Sequence, residues 1–233
     1  MSRPILVLSD IHENMNYVRQ AEYLFSTGKY DRVICLGDYF DSFDGVTENT
    51  HVIIDWLSKK QHDSNWNFLW GNHDLQYFYN RPEFRCSGYE ETRQILIHFS
   101  DIKVERFKFF QYQNGWLLSH AGLSWKYIGK VNKRYIESFL VKKESEMKYS
   151  LKNENQHTWI YADDSPLWNR WTGNTKENIL PKINQLFGHT FRKNIRIHEV
   201  QDTDENLQYI CMDTGAKHYA EIYPDETINF ILR

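Results

Sequence analysis

The sequence predicts an α/β fold of two β-sheets packed in one domain, with helices outside. Two patterns point there. Strand and helix signals alternate from Ile5 to Asn72, which implies right-handed crossovers and a mostly parallel sheet. The second half then turns to short strands with hairpin punctuation, the signature of antiparallel pairing.

Ile5–Ser9 is an apolar, β-branched run that stops at Asp10. From Asn14 to Phe25, apolar residues Met15, Val18, Ala21, Leu24 and Phe25 recur at helical spacing, with Asn14 as cap and Gly28 as stop. Arg32–Leu36 is a second strand ending at Gly37-Asp38. Val52, Ile53, Trp56 and Leu57 mark one helix face, and Phe68-Leu69-Trp70 is a third strand ending at Gly71-Asn72. Phe107–Gln113 and Trp116–Ser119 flank Asn114-Gly115, the strongest short hairpin signal. Helical spacing returns between Tyr135 and Met147. Leu186-Phe187 leads into Gly188-His189, and Ile195–Val200, Leu207–Asp213, Tyr219–Tyr223 and Thr227–Leu232 read as a run of antiparallel strands.

A chain of 233 residues buries a sizeable core without disulfides or a structural metal. The net charge of −3 leaves no strong nucleic-acid signal. Three scattered cysteines, Cys35, Cys86 and Cys211, do not make a disulfide framework and fit a reducing compartment, so a cytoplasmic location is expected. Met1–Leu8 is too short for a signal-peptide apolar region, and no run reaches the roughly 18 apolar residues of a membrane span. The 16% aromatic content reads either as a large aromatic core or as a site lined by rings.

The chemistry gathers where strands end, the edge at which open α/β sheets bind ligands. The endings are Asp10-Ile11-His12, Gly37-Asp38-Tyr39-Phe40-Asp41, Gly71-Asn72-His73-Asp74, His120-Ala121-Gly122 and Gly188-His189. Each alone is a turn or a buried histidine; five in order are not chance. Mixed carboxylate, imidazole and amide donors suit Mn, Fe or Zn. Two such ions about 3.5–4 Å apart clamp a phosphoryl group and activate water. Asp38, mid-rim, is the natural bridging carboxylate.

This series resembles the blocks of the calcineurin-like metallophosphoesterase superfamily. Gly-Asn-His-Asp at 71–74, Ser-His-Ala-Gly-Leu at 119–123 and Gly-His-Thr at 188–190 are similar to its bacterial and phage serine/threonine protein-phosphatase and diadenosine tetraphosphate hydrolase branch. So are Leu167-Trp168-Asn169-Arg170 and Met212–Ala216. The resemblance implies a four-layer sandwich of two mixed β-sheets flanked by helices, spanning residues 1–233 as one domain, with a helical aromatic-rich lid at about 124–175. It implies two divalent ions, manganese favoured, with iron or zinc as alternatives. Asp10, His12 and Asp38 would hold the first; Asp38, Asn72, His120 and His189 the second. His73 would be the general acid, oriented by Asp41, and Arg170 would bind substrate phosphate.

The implied activity is phosphoester hydrolysis by a metal-bridging hydroxide, on a phosphorylated protein, nucleotide or small phosphoester. A phosphomonoester is the expected substrate; a dinucleoside polyphosphate is the alternative, and a non-catalytic binding module on the same fold is the alternative of another class. One departure stands out. Relatives follow Gly-Asp-x-x-Asp with a phosphate-gripping arginine, where this chain has Ser42. Arg81, Arg85 and Arg192 are its possible replacements.

Overall fold

The computed structural model describes residues 3–79, 81–124, 133–153, 165–170, 183–202 and 205–233. Eleven strands fall in two mixed sheets among these residues. The six-stranded sheet contains β1 (Ile5–Leu8), β2 (Arg32–Cys35), β3 (Trp66–Leu69), β4 (Phe107–Lys108), β10 (His218–Ile222) and β11 (Ile228–Leu232), in the order β11-β10-β1-β2-β3-β4. The four strands β1 to β4 are parallel, Ile5 pairing Arg32 and Leu8 pairing Cys35, while β10 and β11 add antiparallel. The five-stranded sheet has the order β5-β6-β7-β9-β8, from Phe110–Gln113, Trp116–Ser119, Asn184–Phe187, Glu205–Cys211 and Arg196–Asp202.

Alternation along each strand builds the layers. Ile5, Val7, Ile34, Leu36 and Leu69 face Trp116, Leu118, Leu186, Ile210 and Met212 in a core between the sheets. Leu6, Leu8, Val33, Cys35, Phe68 and Phe107 point the other way, into helices α1 (Met15–Ser26) and α2 (Glu48–Lys60). Helix α5 (Ile136–Lys152) lies against β5. The rings are mostly core: Trp56, Trp66, Phe68, Tyr39 and Phe107 pack edge-on or tilted and Trp70 stacks on Phe107, with centroids 4.7–6.0 Å apart.

Local signals hold where side chains satisfy backbone. Asn14 accepts from Tyr17 N at 3.1 Å and starts α1; Gly28, at φ +76°, ends it. Asn114 and Gly115 take φ +48° and +75°, the geometry of a two-residue hairpin turn.

Three expectations change. Phe107–Gln113 is not one strand: β4 joins one sheet and β5 the other. Between them Phe109 donates its N–H to Glu144 on α5 at 2.8 Å instead of to a ladder. The last four strands are not one antiparallel run either. They form two hairpins, β8-β9 and β10-β11, in different sheets, and the crossing turn carries left-handed Gly215 and Ala216. Lastly, Asn72 does not simply end β3 but opens a short helix, α3 (Asn72–Phe78), which packs on α4 (Glu91–His98). Of the expected lid at 124–175, residues 125–132, 154–164 and 171–175 lie outside the described residues. No described helix is long and apolar enough to cross a membrane.

Candidate active site

Parallel β1, β2 and β3 deliver Asp10, Asp38 and Asn72 to one rim, and β6 and β7 of the other sheet deliver His120 and His189 to the same place. Gly188 N donates to His120 O at 2.7 Å, tying the ends of β6 and β7, and His189 N donates to Asp10 Oδ1 at 2.9 Å, joining the two sheets. Asp74 fixes the β2 and β3 ends to each other, accepting from Asp38 N, Tyr39 N and Gly71 N at 2.8–2.9 Å. Asp38 in turn accepts from His73 N at 3.0 Å.

The side chains so placed turn mostly lone pairs toward one another. His120 Nδ1 faces the Leu36 carbonyl at 3.1 Å, so its Nε2 carries a lone pair. That lone pair meets Asn72 Oδ1 at 2.9 Å, His189 Nδ1 at 3.2 Å and Asp38 Oδ2 at 3.4 Å. Likewise His12 Nδ1 faces the Phe40 carbonyl at 2.9 Å and turns Nε2 toward Asp38 Oδ2 at 3.6 Å. Acceptor atoms gathered this closely, most of them buried, are unfavourable unless a cation sits among them. The atoms of Asp38, His120 and His189, and those of Asp10, His12 and Asp38, fall within 4.8 Å of one another, with Asp38 common to both sets. The donor set therefore fits two divalent ions sharing one carboxylate.

Electrostatics agree. Burial pushes His120 down to about 3 and holds His12 and His189 below the ordinary imidazole range, so all three are neutral and competent to coordinate. Burial, then the Asp10 and Asp74 carboxylates, pushes Asp38 well above the usual carboxylate range, the response of a negative charge lacking its counter-ion.

Four of the residues at this rim also occupy left-handed backbone: His12, Asp38, Asp41 and His189, at φ +44°, +51°, +66° and +66°. Such conformations cost a non-glycine residue of order 1–3 kcal/mol and cluster at working sites.

Beside the cluster, His73 is bonded through Nδ1 to Asp41 Oδ2 at 2.7 Å, leaving Nε2 as its open end. Asp41 is fully buried and saturated with donors, since it also accepts from Gln76 Nε2, Tyr77 OH and Arg93 Nη1. Arg93 is buried too and donates from Nε to Glu13 at 2.7 Å and from Nη2 to the Gly45 carbonyl at 2.7 Å. Neither Arg93 nor Glu13 shows in sequence as a site residue, because Arg93 sits in an ordinary charged helix and its partners lie far along the chain. Cys86 is a third residue the motifs miss, with Sγ 3.5 Å from His73 Nδ1. Burial, with Asp38 and Asp41 nearby, pushes its thiol up, so it lines the site as a neutral group.

The family model of calcineurin-like phosphoesterases matches residues 3–193. The chain belongs to that family. This phosphoesterase is therefore a metal-dependent phosphoester hydrolase, of a family that uses divalent ions. No curated protein matches it. Among solved structures it is similar to a metallophosphoesterase from Sphaerobacter thermophilus, at 14% identity and a TM-score of 0.45, covering 100% of this chain and 88% of that one. It is also similar to Yfce, a phosphoesterase from E. coli, at 13% identity and 0.41, covering 98% of each.

The phosphoesterase places Arg170 exposed, near enough to His189 that its charge adds to the burial and the His120 imidazole that lower that ring. The Arg170 segment is tied to the site through Ala121 N, which donates to the Pro166 carbonyl at 2.8 Å. Ser42 is half-buried, its hydroxyl 3.5 Å from the Gly45 carbonyl. Two of its possible replacements are otherwise engaged: Arg81 donates to the Leu151 carbonyl at 3.0 Å, and Arg85 lies over the Tyr89 ring at 4.4 Å.

The motif glycines have a steric role. A methyl group at Gly71 would overlap Asp38 Oδ1 and N, and one at Gly188 would overlap Asp10 Oδ2. Gly71→Ala is thus expected to displace Asp38, cutting metal content per chain measured by elemental analysis while far-UV circular dichroism keeps the wild-type shape. Full metal occupancy in Gly71→Ala would contradict this packing.

Proposed function

We propose that this phosphoesterase is a phosphomonoesterase working with two divalent ions, manganese favoured. The convergence of lone pairs from five strand ends beside the His73–Asp41 pair supports this reading. Asp10, His12 and Asp38 hold one ion; Asp38, Asn72, His120 and His189 hold the other. When bound, the ions supply Lewis-acid stabilisation of the phosphoryl oxygens and an activated water. His73 gives its Nε2 proton to the departing oxygen, and the Asp41 carboxylate on Nδ1 keeps that imidazole aimed. Arg170 grips the phosphate. The three free cysteines accord with a cytoplasmic setting.

Turnover of a phosphomonoester, a phosphopeptide and a dinucleoside polyphosphate, each with added Mn, tests the reading. Fastest turnover of a phosphomonoester is expected, with loss in chelator and better recovery in Mn than in Mg, which prefers all-oxygen sites. Faster turnover of the dinucleoside polyphosphate would reassign the substrate to the other members of the resembling branch.

With Ser42 in place of an arginine, the ground-state grip rests on Arg170 and the ions. Arg170→Ala is expected to raise KM by roughly 10- to 100-fold, the equivalent of a charge-assisted contact of about 1.5–3 kcal/mol. Ser42→Arg should lower KM for small phosphomonoesters at unchanged metal content. A raised KM in Ser42→Arg would mean that the space beside Ser42 is used by substrate.

A further inference from the structure

Phe43 follows Ser42 directly, and two features set it apart. The residue is 59% exposed, and its backbone sits at φ +64°, a conformation that costs a bulky residue free energy. An exposed ring alone is unremarkable. The position is not: the Phe43 ring centroid lies 5.3 Å from His12 and 5.5 Å from His73, edge-on to the latter. His12 and His73 are themselves edge-on at 5.3 Å, so the three rings form a triangle at the outer side of the site. Behind Phe43, Gly88 at φ +87° leaves the space it occupies, since a Cβ there would come within 3.2 Å of the Phe43 ring.

His73 Nδ1 is occupied by Asp41, so the proton leaves from Nε2 and the departing alcohol lies just beyond that atom. Phe43 packs edge-on against this imidazole, with an apolar face that no aromatic side chain covers among the described residues other than the two histidines. Resting on the phosphomonoesterase reading, we infer that Phe43 is a specificity-determining residue that stacks on a planar ring in the leaving alcohol. The preferred substrates are then phosphomonoesters carrying an aromatic ring at, or one bond from, the ester oxygen. A left-handed backbone and an exposed ring do not stabilise the fold, and both are accounted for by a ring that is covered only when substrate binds.

The test compares benzyl phosphate with cyclohexylmethyl phosphate, whose alcohols are similarly basic and so ask the same of His73. Wild-type protein is expected to favour the benzyl ester in kcat/KM by roughly three- to tenfold, the range of one aromatic pair. Phe43→Leu should bring that ratio to near one, and Phe43→Tyr should retain it. A phosphotyrosyl peptide run against phenyl phosphate, whose leaving group is likewise a phenol, separates the sources of the ring: a higher kcat/KM for the peptide assigns it to a protein, a higher one for phenyl phosphate to a small molecule. Binding of benzylphosphonate against cyclohexylmethylphosphonate, followed by calorimetry on the metal-loaded protein, gives a readout independent of turnover. No turnover of either ester, with ring-selective phosphonate binding that Phe43→Leu abolishes, would sink the phosphomonoesterase reading and leave the ring site standing. An aromatic preference unchanged in Phe43→Leu, or absent from wild type in both turnover and binding, would overturn the inference.

Discussion

His73→Asn is expected to keep the fold and the metal content while lowering kcat by ~10²–10⁴, the usual range for a positioned proton donor. The imidazole lies at the edge of the cluster, buried but with Nε2 free and Nδ1 held by Asp41 at 2.7 Å. The loss should shrink for an aryl phosphate with an acidic phenol, because that oxygen departs with little protonation. An equal loss across leaving groups would show that His73 serves another purpose. The neighbouring variant Asp41→Asn is less clean, since Asp41 also receives Gln76, Tyr77 and Arg93. Replacing it would unpair a buried guanidinium as well as the imidazole, so its rate loss would be mixed with a loss of stability.

That guanidinium is the source of the second large effect. Arg93 links two buried carboxylates, Glu13 and Asp41, at 2.7 and 2.8 Å, and Thr50 Oγ1 donates to Glu13 at 2.9 Å. Removing one member of a buried ionic group leaves the others uncompensated and costs about 3–5 kcal/mol. Arg93→Ala is therefore expected to lower Tm by roughly 6–20 °C in a chain of this size. Arg93→Lys should recover little, because one ammonium cannot span both carboxylates as the planar fork does. A Tm within about 2 °C of wild type in Arg93→Ala would mean that the pair is relaxed or hydrated rather than buried as seen. The same network explains how a loop with left-handed Asp41 and Phe43 keeps its shape, being held from inside by a side chain of α4.

The candidate ligands were legible because each lies within four residues of a strand end, and parallel strands bring their carboxyl ends to one edge whatever else the chain does. Asp10, Asp38 and Asn72 could be placed from β1, β2 and β3 alone. What was not legible follows equally physical lines. The break at Phe109, which splits one apparent strand between two sheets, depends on Glu144 reaching it from a helix far along the chain. The turn between β9 and β10 depends on Gly215 and Ala216 adopting left-handed backbone, which alanine does not announce. Helix α3 is short, and its start is set by Asp74 accepting from Gly71 N at 2.8 Å, a capping contact hidden inside the site motif. Arg93 and Phe43 carry no spacing signal, because their partners are neighbours in space and not in sequence.

The Asp38 carboxylate is common to both candidate ligand groups, which makes it the bridging group of the proposed two-ion site. Titration of metal-free protein with Mn(II), followed by electron paramagnetic resonance, tests it most directly. Two ions per chain are expected, with signals exchange-coupled at saturation and the coupling lost in Asp38→Asn. A single bound ion per chain, or two ions with independent signals in the wild-type protein, would contradict it.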